Sequence, residues 1–184
     1  SQAREFLRHG DLGPIKHVTT TSGQYFPAGR PAHAAHYSKT YYRDRKMGGG
    51  AIQDALTHTA NWMESILGPT DTIFCDSSHQ VLPDVTVEDT VNLCARHGDV
   101  LVNYTINQFQ APNEATFLVH CERGTFKVEL HEQRWGAYPH GASGWEYHPA
   151  PVKERDDLFV AQANAFLDGM AGAETDLSTL DEAE

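Results

Sequence analysis

Hydrophobic and polar positions alternate strictly through the middle of the chain. Val102, Tyr104 and Ile106 are separated by single polar residues, and the same period of two runs through residues 125–131. A period of two is typical of a strand that buries one face. This pattern predicts strands at residues 15–26, 70–76, 88–96, 100–110, 115–122 and 125–131.

The turns between these strands are short. His97-Gly98 and Arg123-Gly124 each follow one predicted strand and precede the next. Connections this short join antiparallel neighbours, because a parallel pair needs a crossover of about a dozen or more residues. The centre of the chain therefore predicts a mostly antiparallel sheet.

Three segments have helical spacing instead. The longest begins at Gly50, carries apolar residues every three or four positions and ends at Gly68-Pro69, a typical helix stop. Shorter helices are predicted over residues 4–9 and 156–172. Together these elements predict an α+β fold, a large mostly antiparallel open sheet with helices packed on one face.

Two segments show neither period and are rich in aromatic residues and histidine. They cover residues 27–46 and 135–151, and both are predicted as loops. Loops of this length without regular structure are more often functional than simple connections. The first of them is therefore a candidate for ligand contacts.

Composition changes this picture little. The chain has 184 residues, 40% of them hydrophobic, which suits one domain with a full core. Its net charge of −11 argues against nonspecific binding to nucleic acid, so no nucleic-acid partner is predicted. We predict one domain over residues 1–172 and an acidic tail over residues 173–184.

The sequence carries no sign of membrane insertion or export. No apolar run approaches the ~18 residues of a membrane span, and no signal peptide is visible. Cys75, Cys94 and Cys121 form no Cys-x-x-Cys pair and lie in strand-like runs, which predicts buried thiols in a reducing compartment. The expected location is the cytoplasm, with no membrane partner.

The helix that starts at Gly50 carries the most informative polar pair. Asp54 and His58 are four residues apart, which places them on one face of an α-helix, and Asn61 continues the stripe. A carboxylate beside an imidazole can hold the tautomer of the ring and support proton transfer near neutral pH. Periodicity alone favours a simpler interpretation, the solvated face of an amphipathic helix.

The eleven histidines also raise the question of a metal site. His33 and His36 have a suitable spacing for ligands, and His58 could add a third. No cysteine pair and no His-Glu-x-x-His motif accompanies them. A metal-dependent hydrolase is therefore kept only as a third hypothesis, and no metal is predicted.

The glycine triplet at 48–50, Asp54 and His58 form a Gly-Gly-Gly-x-x-x-Asp-x-x-x-His pattern. This segment resembles the start of the main helix in the C-terminal domain of the glucose-fructose oxidoreductase / inositol dehydrogenase / MocA-like family (Gfo/Idh/MocA). Residues 10–15, the Val-Glu-Asp-Thr run at 87–90 and the late predicted helix resemble further family segments in the same order. The resemblance covers nearly all of the chain.

The resemblance implies a parent protein with two domains. Family members carry an N-terminal dinucleotide-binding (Rossmann) domain, yet this chain has no Gly-x-Gly-x-x-Gly after a strand and no Glu-Lys-Pro run. We therefore expect a C-terminal domain without its Rossmann domain, in which residues 173–184 begin a truncated last helix. NAD or NADP would be bound mainly by the missing domain, and this fragment alone would be inactive.

The resemblance also implies roles for individual residues. His58 is expected to serve as, or to assist, the general acid/base, and Asp54 to position the substrate or the histidine. Tyr41, Tyr42 and Arg43 border the cleft in the family, where they would bind a sugar, a polyol or a related hydroxy compound. The alternative for these three residues is that they pack the loop.

Two further expectations concern specificity and assembly. Asn61 stands where many relatives carry an acid, so it is expected to contact the substrate and to affect substrate preference. The open face of the sheet often meets another subunit in the family, which predicts a homo-oligomer through that face. The competing hypothesis from another class is a non-catalytic binding or assembly module with the same fold.

Overall fold

The computed structural model describes residues 2–28, 35–150, 155–173, 175 and 177. Contacts divide the chain into two compact units, Ser1–Ala150 and Pro151–Glu184. The first unit holds a sheet with its helices, and the second holds one helix. The domain boundary predicted at residue 172 stays a prediction.

The sheet of the first unit has eight strands. They are β1 (Ile15–Tyr25), β2 (Thr72–Ser78), β3 (Thr90–His97), β4 (Val100–Asn107), β5 (Phe109–Cys121), β6 (Gly124–Glu129), β7 (Arg134–Pro139) and β8 (Glu146–Pro149). Their spatial order is β2-β3-β4-β1-β5-β6-β7-β8. Every neighbouring pair is antiparallel except β1 with β4, which is parallel.

The predicted strands are confirmed, with boundaries that differ by up to six residues. Residues 109 and 110, predicted as the end of the strand from residue 100, are the start of β5. The prediction of a loop over residues 135–151 is wrong, because β7 and β8 form a hairpin there. Alternation is hard to see in this stretch, since Gly136 has no side chain at its strand position. A Cβ there would stand 2.8 Å from the ring of Tyr147, so the missing side chain makes room for that ring.

Two helices cover one face of the sheet, as predicted. They are α1 (Gln2–His9) and α2 (Thr57–Leu67). The ring of Phe6 on α1 lies 5.8 Å from Phe126 and 5.1 Å from Trp135, and Trp62 on α2 meets Phe117 edge-on at 4.7 Å. Burying a side chain of this size contributes roughly 1.5–3 kcal/mol, so these ring contacts hold both helices to the sheet.

The opposite face of the sheet, called the polar face below, carries mostly polar side chains among a few exposed apolar ones, as the alternation predicts. Cys94 Sγ donates to Asn103 Oδ1 at 3.1 Å, and Asn103 Nδ2 lies 3.0 Å from His17 Nε2. Nearer β8, Arg134 Nε donates to Glu129 Oε2 at 2.8 Å. The side chains on this face therefore bond to one another across neighbouring strands.

The cysteines differ from the prediction. Cys121 is buried, whereas Cys75 and Cys94 are exposed, and all three thiols are free. Cys75 lies on the edge strand β2, and Cys94 lies on the polar face. A preference of the residue type for burial therefore misleads at both positions.

The segment before the glycine triplet contains three short 3₁₀ turns, Tyr37–Lys39, Tyr41–Arg43 and Arg45–Met47. A second core cluster packs this segment. Its members are largely apolar and almost fully buried: Phe26, Tyr37, Tyr42, Leu82, Val85 and Val87. The predicted loop is therefore fixed by packing over its second half, and its residues 29–34 lie outside the described residues.

The helix predicted from Gly50 begins with a π-helical turn. Residues Ile52–Leu56 are π-helical, and α2 follows directly. The α-helical spacing assumed between Asp54 and His58 is therefore wrong over this turn. Such turns are rare and frequently occur at functional sites. Gly68, at φ +85°, ends α2 where the sequence predicts the stop.

The second unit contains one described helix. Its helix α3 (Arg155–Met170) confirms the helix predicted over residues 156–172. Among the helices that the structure describes, none is long and apolar enough to cross a membrane. The predicted tail from residue 173 lies almost entirely outside the described residues.

Gly50→Ala should destabilise the fold strongly. Gly50 has φ +100°, and an added Cβ would stand 2.5 Å from Oε1 of Glu88, whose carboxylate is buried. The substitution adds strain in the left-handed backbone and displaces a buried carboxylate. We therefore expect urea unfolding to show that the free energy of unfolding falls by about 3 kcal/mol or more.

Gly48→Ala is the matched control for this substitution. Gly48 has φ +90°, yet nothing lies within 4 Å of its added Cβ. Only the backbone strain of about 1–2 kcal/mol should appear in this variant. Equal losses in the two variants would show that the contact with Glu88 does not matter.

Candidate functional site

The buried carboxylate of Glu88 holds the start of the site helix, which we define as the π turn together with α2. Its Oε1 accepts a hydrogen bond from the Ile52 N–H at 3.0 Å, and its backbone carbonyl accepts from the Ala51 N–H at 2.9 Å. Its Oε2 pairs with Arg45 Nη2 at 2.7 Å. These bonds satisfy N–H groups that a helix start leaves free and place negative charge where the helix dipole favours it.

Asp89, the next residue, fixes a neighbouring turn. Its carboxylate accepts from the backbone N–H groups of Gln80, Val81 and Leu82 at 2.8–2.9 Å and from Thr90 Oγ1 at 3.0 Å. Burial by itself raises the pKa of Asp89, but these four donors outweigh burial and hold the pKa below its usual value. The two adjacent acids thus anchor two separate segments beside the start of β3.

Asp54, the predicted acid, is half-buried in the π turn. Its Oδ1 accepts a hydrogen bond from the hydroxyl of Tyr41, which lies on the 3₁₀ turn Tyr41–Arg43. Hydrogen bonds to an ionised carboxylate are strong and directional. Asp54 is therefore a carboxylate held in one orientation, and the structure brings it together with Tyr41.

His58 is exposed on α2 at the rim of a cavity of about 310 Å³. The lining comes from α2, β5, β6 and the residue after β6, and it is mostly apolar: His58, Thr59, Trp62, Phe117, Val128 and Leu130. A volume of this size lies at the lower end of the range of small-molecule sites. The predicted imidazole is thus accessible beside a space that can hold a ligand.

The remaining predicted site residues have different surroundings. Tyr42 has no exposed surface, and its hydroxyl donates to Gln108 Oε1 within the second core cluster. This placement supports packing, the alternative role weighed for Tyr42, and gives no support to a substrate contact. Arg43 and Asn61 are exposed, and their substrate contacts stay predictions.

The sequence pattern does not reveal two buried polar residues that hold the site. Glu88 is visible in the Val-Glu-Asp-Thr run, but the pattern does not reveal that its partner is a helix start. Gln108 is fully buried, accepts from Tyr42 and donates to Gln24 Oε1 at 3.3 Å. It falls inside the predicted strand 100–110, where no signal separates it from the exposed polar residues.

The metal hypothesis depends on His33, His36 and His58. Over residues 2–28, 35–150 and the described part of the remainder, no three side chains of His, Cys, Asp or Glu are grouped to hold a metal ion. His36 Nδ1 lies 2.9 Å from Ser38 Oγ, and His33 lies outside the described residues. The hypothesis therefore stays untested.

Solved oxidoreductase structures share this fold. A levoglucosan dehydrogenase in complex with NADH has a TM-score of 0.75 at 15% identity, over 92% of this chain and 53% of that one. An oxidoreductase domain protein from Kribbella flavida has a TM-score of 0.75 at 16% identity, over 95% and 54%. An inositol dehydrogenase homologue complexed with NAD+ from Azotobacter vinelandii has a TM-score of 0.67 at 17% identity, over 80% of this chain and 40% of that one. This chain thus spans about half the length of these structures.

The class of the protein is the C-terminal α+β domain of an oxidoreductase family, by its fold together with the match of its sequence to a family model. The sequence model of the GFO/IDH/MocA C-terminal domain matches residues 1–127, and the chain belongs to that family. No curated protein is significantly similar to it. The resemblance predicted from the glycine triplet is therefore confirmed.

Asp89→Asn should change how the fold responds to acid. A carboxyl with a lowered folded pKa stabilises the fold above its unfolded pKa of about 3.9, and this stabilisation is lost as the pH falls through the folded pKa. We expect Asp89→Asn to cost about 1–3 kcal/mol at neutral pH, because it weakens several buried hydrogen bonds, and to lose less on acidification than the wild type. Urea unfolding at neutral and at strongly acidic pH measures both effects.

Asp99→Asn is the control for Asp89→Asn, since Asp99 is exposed in the β3–β4 turn. It should keep the wild-type stability and the wild-type acid dependence. Parallel pH profiles for the two variants would mean that the hydrogen bonds to Asp89 do not contribute to acid sensitivity.

Proposed function

We propose that this chain is the substrate-binding domain of an NAD(P)-dependent oxidoreductase that transfers hydride to or from a sugar, a polyol or a related hydroxy compound. The observation that carries the proposal is the exposed imidazole of His58 at the rim of a ligand-sized cavity. The helix of His58 also bears the oriented carboxylate of Asp54. Membership of the family supports the same function.

The substrate class is inferred from the similar structures and from the polar groups near the site. The structures are named for levoglucosan and inositol, a sugar derivative and a polyol. Exposed Arg43 and Asn61 carry donors and an acceptor that suit hydroxyl groups, and Tyr41 adds a hydroxyl. These three residues are proposed to bind the substrate.

The cofactor, NAD or NADP, is proposed to be held mainly by a dinucleotide-binding domain outside this chain. The glycine-started helix here does not fit a cofactor pyrophosphate. Its first N–H groups, from Ala51 and Ile52, already bond Glu88, whose negative charge would repel a phosphate. When bound, the nicotinamide supplies the hydride donor or acceptor.

The residues of this chain are proposed to position the substrate and to transfer the proton of its hydroxyl group. An imidazole changes charge between about pH 5 and pH 8, which suits a group that takes and returns a proton near neutral pH. His58 takes the proton of the substrate hydroxyl during oxidation and returns it in the reverse direction. Asp54, oriented by Tyr41, positions the hydroxyl or the imidazole.

The polar face of the sheet is proposed as a homo-oligomer interface. Phe74 and Leu101 are exposed on this face among the hydrogen-bonded polar groups. A face that combines apolar and polar groups can pair with its own copy about a two-fold axis. We propose no nucleic-acid or membrane partner, and the cytoplasm as the location.

The substitution His58→Ala tests the function. It is made in the full-length product of the gene, including anything encoded upstream of Ser1. We expect kcat for NAD(P)-dependent oxidation of a sugar and polyol panel to fall by about 10² or more, the scale of lost acid–base catalysis. The affinity for NADH or NADPH, measured by fluorescence titration, should not change, because the cofactor is held elsewhere.

His9→Ala is the matched control, since His9 is exposed at the end of α1. It should leave kcat and cofactor affinity at wild-type values. Wild-type turnover in His58→Ala would remove His58 from the mechanism. The non-catalytic binding or assembly module would be favoured by two results together. The upstream coding sequence would lack a dinucleotide-binding motif, and the protein would self-associate without binding a sugar.

A further inference from the structure

The cavity beside His58 is lined unlike a site for a fully hydroxylated ring. Its polar lining residues are His58 and Thr59, and the other walls are Trp62, Phe117, Val128 and Leu130. Such walls offer aromatic and hydrocarbon surface with few hydrogen-bond partners. A ring with a hydroxyl on every carbon would lose hydrogen bonds to water there without replacing them, which opposes binding.

The lining separates a polar side from an apolar side. His58 and Trp62 are four residues apart within α2, so both side chains lie on one face of the helix. The edge-on contact with Phe117 at 4.7 Å fixes the Trp62 ring as a wall. Leu130, 53% exposed, lines the cavity from the residue after β6. A molecule whose hydroxyl reaches His58 therefore rests its other atoms against apolar surface.

We propose that the substrate carries an unbroken hydrocarbon edge next to its reacting hydroxyl and that this edge enters the cavity. This inference rests on the proposed function and narrows its substrate class. The compound is a partly deoxygenated or alkyl-substituted cyclic polyol, and a cavity of about 310 Å³ accommodates one such ring. Trp62 and Leu130 are then specificity-determining residues.

An apolar side chain from another domain is a different occupant for the same space. Continuity with His58 favours the substrate, because the cavity adjoins the imidazole that the proposed function places against the substrate hydroxyl. The two occupants make different predictions for ligand binding in the longer protein.

Two probes with the same ring test the inference. trans-Cyclohexane-1,2-diol has neighbouring hydroxyls and a hydrocarbon edge, whereas myo-inositol has a hydroxyl on every carbon. We expect the diol to shift the NMR signals of the His58 ring and the Trp62 indole N–H in this chain. Its Kd should be about tenfold lower than that of inositol or better, since each buried methylene strengthens binding several-fold.

Two substitutions to serine supply the matched control. Leu130→Ser should raise the Kd of the diol about threefold or more, because it removes apolar surface at the rim. Val81→Ser should leave that Kd unchanged, since Val81 is 49% exposed in the turn that Asp89 holds and is not among the residues that line the cavity. Equal effects of the two substitutions would place the diol outside the cavity and overturn the inference.

Other outcomes also decide the question. Inositol binding as tight as that of the diol, or no shift at Trp62, overturns the inference. Binding to this chain that is lost in the longer protein shows that another domain fills the cavity, and this too overturns it. Turnover that needs His58 without diol binding rejects only the inference, whereas diol binding with turnover independent of His58 rejects only the proposed function.

Discussion

The geometry of the site depends on one buried carboxylate, that of Glu88. The side chain and the backbone carbonyl of Glu88 each accept a hydrogen bond from one of the first N–H groups of the site helix, so this helix starts at a fixed point beside β3. A side chain at position 50 would displace this carboxylate, which makes the glycine triplet and the acid parts of one arrangement. Because Asp54 and His58 both lie on this helix, their position over the sheet follows from the same contact.

The same contact also decides what the start of the site helix can bind. A helix start after glycines is a ready-made anion site, and in nucleotide-binding folds a phosphate occupies it. Here an internal carboxylate occupies it, so the glycines serve close packing and not ligand binding. The proposed substrate contacts therefore come from side chains on the body of the helix, and the proposed contacts to the cofactor phosphates come from outside this chain.

The sequence predicts the parts of the structure in which apolar residues recur with a regular period. It does not predict the contacts between segments that are distant along the chain. Alternation locates most strands, but it fails over residues 135–151, where Gly136 gives no side chain to count. Helical spacing locates α2 but not the π turn, because the register over Ile52–Leu56 is set where the helix start meets Glu88. The bond of Tyr41 to Asp54 joins residues thirteen apart in different elements, and no local pattern encodes it.

The three acids around the site helix differ in their hydrogen-bond partners. Asp89 is enclosed by four donors, and Glu88 is held by Arg45 and the Ile52 N–H, so both carboxylates serve the fold. Asp54 is half-buried and carries the Tyr41 hydroxyl, which orients it. His58 alone among these titratable groups lines the cavity. In the proposed mechanism the substrate hydroxyl therefore gives its proton to His58, and Asp54 contributes by positioning.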